Sequence, residues 1–166
     1  MNRSAIILML AVAVLGISTQ AGAQVKWKDF SLTGSEGLSV GYSDQFGDIS
    51  SVHGLGWGSQ TTINGSYYNP QFLNFTVVPY VNQSRSNSDS SSVSDASGVS
   101  ANLNLFAGSR MPVNMSYSYA DDSQSTYNLG EAGFTTHGTS STFSIATTLK
   151  LEKLPSVMLM YQQGNT

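Results

Sequence analysis

The sequence predicts an all-β protein, an antiparallel up-and-down meander of about seven strands preceded by a signal-peptide helix. Apolar and polar residues alternate in seven stretches between about Gly37 and Tyr161, which is the pattern of half-buried strands. The connections between these stretches are alternately long and short. Helical periodicity is absent after the first 23 residues. Together these observations favour a meander whose two ends face different environments.

The N-terminus has the three parts of a secretory signal peptide. Arg3 supplies the positive charge, Ala5 to Ile17 is apolar, and Ala21-Gly22-Ala23 forms a cleavage site of small residues. The apolar run is shorter than the ~20 residues of a membrane-spanning helix. Residues 1–23 are therefore predicted to be a cleaved signal peptide and residues 24–166 an exported β-barrel region; an uncleaved anchor is the alternative.

The composition of the chain is polar without being strongly charged. Charged residues make up 10% of the chain, against ~25% in ordinary soluble domains. The formal net charge is −3, and without Arg3 six cationic residues face ten acidic ones, which gives −4. This balance argues against a nucleic-acid partner. The absence of cysteine excludes disulfides and thiolate metal sites.

The seven alternating stretches include several of 9–12 residues, which is enough for a tilted strand to cross a bilayer and longer than the ~5–6 residues usual in soluble sheets. The clearest is the fifth, where apolar Val113 to Tyr119 alternate with Asn and Ser. Pro79 in the third lacks an N–H and predicts a bulge or an interruption of pairing. The expected strands are about Gly37–Ser43, Trp57–Tyr67, Gln71–Ser84, Gly98–Ala107, Val113–Tyr119, Ser140–Leu151 and Ser156–Gln162.

The connections divide into long loops and short turns. The short turns each carry proline, which suits a turn, and the long ones are rich in Ser, Asp, Gly and Asn. The predicted short turns are Tyr68–Pro70, Gly108–Pro112 and Glu152–Pro155, and the long loops are Asp44–Gly56, Arg85–Ser97 and Ala120–Thr136. Aromatic residues lie near both sets of ends: Tyr67, Tyr68 and Phe72 near a short turn, and Tyr42, Trp57, Tyr80 and Tyr119 near the long loops.

The signal peptide, the alternation from Val113 to Tyr119, the long and short connections and the aromatic ends together resemble a bacterial outer-membrane β-barrel. The resemblance covers the mature chain and is to the class, without a motif for one family. It implies a location in the outer membrane, periplasmic short turns, outer long loops, and outer-membrane lipid and the barrel assembly machinery as partners. Because seven is odd, we expect the N-terminal part of a larger barrel; the rival is a complete eight-stranded barrel with a further strand near Val25 to Leu32.

The predicted function is a porin-like passive channel or a structural membrane protein, with the transported solute unassigned. Neutral polar residues that alternate with apolar ones are expected to face the lumen: Asn64, Asn74, Asn102, Asn104, Asn114 and Ser116. The alternative is an exported β-sandwich that serves in surface adhesion or carbohydrate binding. Heat-modifiable migration and detergent partition would separate the two.

The residues that could carry chemistry do not form a convincing set. His53 and His137 are expected to be solvated in outer loops, without partners such as Asp48 or Asp122 at a supporting spacing. Asp121 and Asp122 with Glu131 could hold calcium but match no calcium loop. Glu36 and Lys150 are expected at the membrane interface, and the glycine-rich segment 54–58 is expected to be a flexible entry to a strand. The sequence predicts no enzyme, no catalytic residue, no cofactor and no metal.

Overall fold

Eight antiparallel strands form one sheet in a computed structural model of the chain, which describes residues 19–46, 51–87, 90–128, 133–150 and 155–166. Each strand pairs with the strands before and after it in the chain, and β1 and β8 each have one neighbour, so the sheet is open. The strands are β1 Thr19–Trp27, β2 Phe30–Phe46, β3 Ser51–Tyr67, β4 Leu73–Asn87, β5 Ser90–Leu105, β6 Val113–Asn128, β7 Phe134–Leu149 and β8 Val157–Asn165. The predicted all-β up-and-down meander is confirmed.

The strand count is eight where the sequence indicated about seven. The additional strand, β1, pairs with the first half of β2 through the two-residue turn Lys28–Asp29. The rival expectation of a further strand near Val25 to Leu32 falls across the turn between β1 and β2. The start of β1 had no clear signal because residues 19–23 belong to the predicted signal peptide, and because Gly34 and Gly37 weaken the alternation of the strand that β1 pairs with. Of the predicted signal peptide, residues 1–18 lie outside the described residues and residues 19–23 belong to β1.

The predicted long outer loops are mostly strand. β2 and β3 pair as far as Phe46 and Ser51, β4 and β5 as far as Asn87 and Ser91, and β6 and β7 as far as Thr126 and Phe134. Small polar residues on both faces give these segments no apolar period to detect. Once the lower part of a hairpin has fixed the register, however, each further backbone pair adds hydrogen bonds without needing a new nucleus.

The register of every hairpin is constant from end to end among the described pairs, so no bulge shifts one strand against its neighbour. β4 runs straight through Pro79, which stays opposite Val99 of β5. On the other side the pairing with β3 is interrupted between Gln60–Tyr80 and Ile63–Val77 and then resumes unchanged. The missing proline N–H therefore interrupts the ladder locally, as the sequence predicted, without producing a bulge.

This constant register sorts the side chains onto two faces, since residues directly opposite each other in an antiparallel pair point the same way. We call apolar the face that carries Leu103 and polar the face that carries its neighbour Asn102. The apolar face holds rows such as Phe75–Leu103–Met115–Ile145–Tyr161. The polar face holds mainly Ser, Thr, Asn and Gly.

Nothing within the described part of the chain covers the apolar face. None of its hydrophobic side chains is buried, and large ones are widely exposed, such as Leu159 at 64% and Val40 at 46%. A water-soluble sheet of this size would bury its apolar side against a second layer. Burial of the apolar face would therefore require an apolar environment that this single sheet does not itself provide.

The short-turn end of the sheet is tightly organised. The side-chain oxygen of Asn69 accepts hydrogen bonds from the backbone N–H groups of Gln71 and Phe72, both at 2.8 Å. The Phe72 ring contacts the Phe106 ring edge-on, with 5.3 Å between centroids, and the backbone N–H of Phe106 donates to the Phe72 carbonyl at 2.8 Å. These contacts join the β3–β4 turn to the β5–β6 turn.

Candidate functional site

The six residues predicted to line a lumen all lie on the polar face. Asn74 of β4, Asn104 of β5 and Asn114 of β6 are directly opposite one another. The next polar row towards the far end of the strands runs Asn64–Thr76–Asn102–Ser116–Ser144 across β3 to β7. The structure thus brings the predicted residues together as two adjacent rows; their exposure to a lumen stays a prediction.

Hydrogen bonds between side chains connect these rows from strand to strand. The Asn104 amide donates to Asn74 Oδ1 at 2.8 Å, and the Thr76 hydroxyl donates to Asn64 Oδ1 at 2.7 Å. The hydroxyl oxygens of Ser116 and Ser144 are 2.6 Å apart. Neutral groups thereby satisfy much of one another's hydrogen bonding, which fixes their orientation without any charge.

Charge is almost absent from the polar face. Within the described strands, the register assigns only Lys26 of β1 and Asp122 of β6 to it. The remaining charged strand residues, among them Glu36, Asp44, Arg85, Asp95 and Asp121, belong to the apolar face. The polar face therefore offers hydrogen-bonding groups with little electrostatic preference for either sign of ion.

The apolar face carries a band of hydrophobic residues with an oblique border. Beyond the border, towards the long ends of the hairpins, this face becomes polar among the side chains that the structure describes, apart from Val93 and Tyr127. The last apolar residues of the band are Tyr42 on β2, Leu55 on β3, Val81 on β4, Val99 on β5, Tyr119 on β6, Phe143 on β7 and Tyr161 on β8. We take residues that pair across two strands as level with each other. On this scale the border lies four residues nearer the short-turn end on β4 than on β3. It moves two residues further in the same direction at each of β4–β5, β6–β7 and β7–β8.

On β2 and β3, polar residues interrupt the band around Glu36. The Ser59 hydroxyl donates to Glu36 Oε1 at 3.0 Å, and Thr61 is directly opposite Glu36. Glu36 is thus on the apolar face and hydrogen-bonded, not on the face predicted to line a lumen.

The strand aromatic residues that the sequence placed near the strand ends lie at the two ends of this band, with one exception. Tyr42, Trp57 and Tyr119 are on the apolar face close to its border, and Tyr67 is on the same face at the short-turn end. Tyr80, which the sequence grouped with the first three, lies on the polar face opposite Gly98. The alternation along β4 predicts this face for Tyr80, because Tyr80 keeps the period of Asn74, Thr76 and Asn82.

Both histidines lie on strands and not in loops, so the predicted loop position is wrong. Each of them pairs with an aspartate. His53 Nδ1 is 2.8 Å from Asp44 Oδ1 and 3.3 Å from the Tyr42 hydroxyl. His137 Nδ1 is 3.2 Å from Asp121 Oδ1. The sequence missed these partners because Asp44 and Asp121 become neighbours of the histidines only when the hairpins pair, and Asp48 lies outside the described residues.

The possible calcium ligands do not come together. Asp121 and Asp122 point to opposite faces of β6, and Glu131 lies outside the described residues. Among the residues that the structure describes, no group of three or more His, Asp or Glu side chains is placed to hold a metal ion. The glycine-rich segment 54–58, expected to be a flexible entry to a strand, is instead an interior stretch of β3.

Comparison with known proteins gives no relative for this chain. No family model, curated protein or solved structure matches it. No helix within the described residues is long and apolar enough to span a membrane.

Proposed function

We propose that the chain is an outer-membrane β-barrel protein whose polar face lines a porin-like passage. The observation that carries this proposal is the uncovered hydrophobic band on one face of a meander of long strands. A bilayer would supply the apolar environment that the band lacks. Seven alternating residues on β5 and β6, Val99–Leu105 and Val113–Tyr119, span about 20 Å along the strand, since a strand rises ~3.4 Å per residue; this approaches the ~25 Å height of the apolar belt of such barrels.

The oblique border supports the same conclusion. In a barrel the strands tilt, so a level belt must move along the strands from one to the next. The border drops ten residues over the six boundaries from β2 to β8, or about 1.7 residues per boundary. With ~3.4 Å per residue and ~4.8 Å between strands, this corresponds to a tilt of roughly 50°, near the ~35–45° of barrel strands.

The alternative of an exported β-sandwich has less support. A sandwich needs a second sheet packed on the first, and the described strands form one sheet. Its interior would also need buried apolar side chains, and none of the described hydrophobic side chains is buried.

Electrophoresis of the folded protein tests the membrane proposal directly. We expect the mature chain, folded in detergent or lipid vesicles, to migrate differently in an unboiled and a boiled sample, and to sediment with the membrane fraction of an expressing cell. A mature chain that is monomeric and stable in plain buffer would contradict the proposal.

Two adjacent substitutions on β5 test which face meets lipid. Leu103→Lys places a charge in the band, and we expect it to lower the free energy of unfolding from lipid vesicles by about 2–4 kcal/mol, the cost of a cation near the bilayer midplane. Asn102→Lys adds the same charge to the polar face and should cost less than about 1 kcal/mol. Denaturant titration in vesicles measures both values. Equal losses, or a larger loss for Asn102→Lys, would contradict the assignment of the faces.

Conductance measurements test the channel itself. Because Lys26 and Asp122 are the only charged residues that the described register assigns to the polar face, a passage lined by this face should discriminate weakly between cations and anions. We expect a reversal potential close to zero in a potassium chloride gradient across a planar bilayer. A barrel that inserts but does not conduct would leave the membrane proposal standing and refute only the porin-like part.

A further inference from the structure

A shallow depression lies on the apolar face just beyond the border of the hydrophobic band. Its volume is about 340 Å³, within the range of small-ligand sites. It follows a single row of the register, Trp57–Gln83–Asp95–Ser123–His137, across β3 to β7. Asp121, on the neighbouring row, also lines it.

The aromatic wall of the depression is fixed in place and accessible. The Trp57 indole N–H donates to Gln83 Oε1 at 3.0 Å, and the residue is 44% exposed. A tryptophan ring attracts cations through its negative face, and it does so more strongly than tyrosine or phenylalanine. The tether to Gln83 reduces the freedom that the ring would lose on binding.

The charge of the lining is negative. Asp95 and Asp121 are diagonal neighbours on β5 and β6, close enough that their like charges repel, and no lysine or arginine lines the depression. Asp95 Oδ1 is shielded from solvent and has no hydrogen-bond partner among the described residues. Asp121 is 3.2 Å from His137, whose side chain is 66% exposed. A cation between these carboxylates would offset both the repulsion and the cost of shielding Asp95 from water.

We propose that this depression binds an organic ammonium group, with Trp57 as its aromatic wall and Asp95 and Asp121 as its counter-charges. A quaternary ammonium such as that of choline combines the positive charge that the carboxylates need with the low hydration that suits an aromatic face. A metal ion suits the site less, because the described His, Asp and Glu residues do not converge on one point. The site lies on the side of the sheet opposite the rows predicted to line the lumen, so the proposal does not depend on the porin-like passage.

Tryptophan fluorescence tests this proposal with choline as the probe. In the full mature chain folded in non-ionic detergent, Trp27→Phe leaves Trp57 as the only tryptophan. We expect choline to change the fluorescence of Trp57 saturably, and its neutral isostere 3,3-dimethylbutan-1-ol to do so at least tenfold more weakly. Ionic strength is held constant with sodium chloride.

Aspartate substitutions then assign the counter-charges. Asp95→Asn and Asp121→Asn should each weaken choline binding at least tenfold. Asp122→Asn, which removes the same charge from the adjacent residue on the opposite face, should leave it unchanged; circular dichroism checks that each variant is folded. Equal responses to choline and its isostere, or equal losses in the Asp121 and Asp122 variants, would overturn the proposal.

Vesicles distinguish the two sources of the ammonium group. A stronger response to phosphatidylcholine than to phosphatidylglycerol vesicles, abolished by Asp95→Asn, would assign the site to a lipid headgroup. Saturation by free choline with equal responses to both vesicles would assign it to a soluble cation. If neither choline nor phosphatidylcholine gives a saturable response, the proposal is wrong.

Discussion

Gly98 of β5 shows how a single residue shapes the polar face. It is directly opposite Tyr80, and a side-chain Cβ at this position would overlap the Tyr119 carbonyl oxygen and lie 2.7–2.8 Å from atoms of the Tyr80 side chain. An aromatic ring beside a glycine covers backbone that would otherwise be exposed, and such pairs help to fix register. The absence of a side chain at Gly98 therefore leaves the space that the Tyr80 side chain occupies on this face.

We expect Gly98→Ala to lower the free energy of unfolding by about 1–3 kcal/mol, the usual cost of overpacking. Gly138 of β7 provides the matched control: it lies on the same face, but a Cβ there would have no atom within 4 Å. Gly138→Ala should be neutral or stabilise by about 0.5–1 kcal/mol, because it lowers the entropy of the unfolded chain. Denaturant unfolding of the two variants under identical conditions checks the difference, and equal effects would refute the role of the Tyr80 contact.

At the scale of the element, the turns contain residues whose backbone conformation is less favourable than that of the strands that they join. Lys28, Tyr68 and Phe106 have φ values of 50°, 64° and 55°, in the left-handed region where a side chain is strained and glycine is not. The Tyr68 and Phe106 rings both pack on Phe72, with centroid distances of 6.2 and 5.3 Å. These contacts offset the strain at two of the positions.

Lys28 is the position where the backbone strain can be tested alone, because no ring contact accompanies it among the described residues. We expect Lys28→Gly to raise the free energy of unfolding by about 0.5–1 kcal/mol, which is the relief of left-handed strain less the entropy that glycine adds to the unfolded chain. Asp29→Gly, in the same two-residue turn but without a positive φ, should lower it by a similar amount. The two unfolding curves should therefore move in opposite directions, and a shift of both towards lower stability would contradict this explanation.

The sequence was informative about elements wherever one face is apolar. The alternation from Val113 to Tyr119 identified the core of β6, and the proline-bearing turns identified one end of the sheet. It was uninformative where both faces are polar, as in Ser90 to Ser97, because pairing there depends on a register that is set further along the hairpin. The row from Trp57 to His137 escaped detection for the same reason: its members come from five strands and meet only through the register.

At the scale of the whole molecule, one sheet separates two kinds of surface. Large hydrophobic side chains occupy one face in an oblique band. Mainly small neutral side chains occupy the other, joined by hydrogen bonds such as Asn104 to Asn74. The presence of these two faces followed from the sequence alone. The oblique border did not, because it depends on how far each strand is displaced against the next. The membrane and channel proposals are therefore tested best by paired changes on the two faces.

The predicted cleavage site lies inside β1, and N-terminal sequencing of the exported chain tests it: we expect the mature protein to begin at Gln24. Cleavage after Ala23 would leave Gln24 to Trp27 paired with the start of β2. It would remove the partners of Gly34 to Leu38 in β2, which the uncleaved chain supplies from Thr19 to Ala23. Removal of the signal peptide would therefore expose unpaired backbone donors and acceptors along this part of β2. An unpaired edge is costly in lipid, so in the proposed membrane location signal-peptide cleavage would prepare this edge to receive another strand.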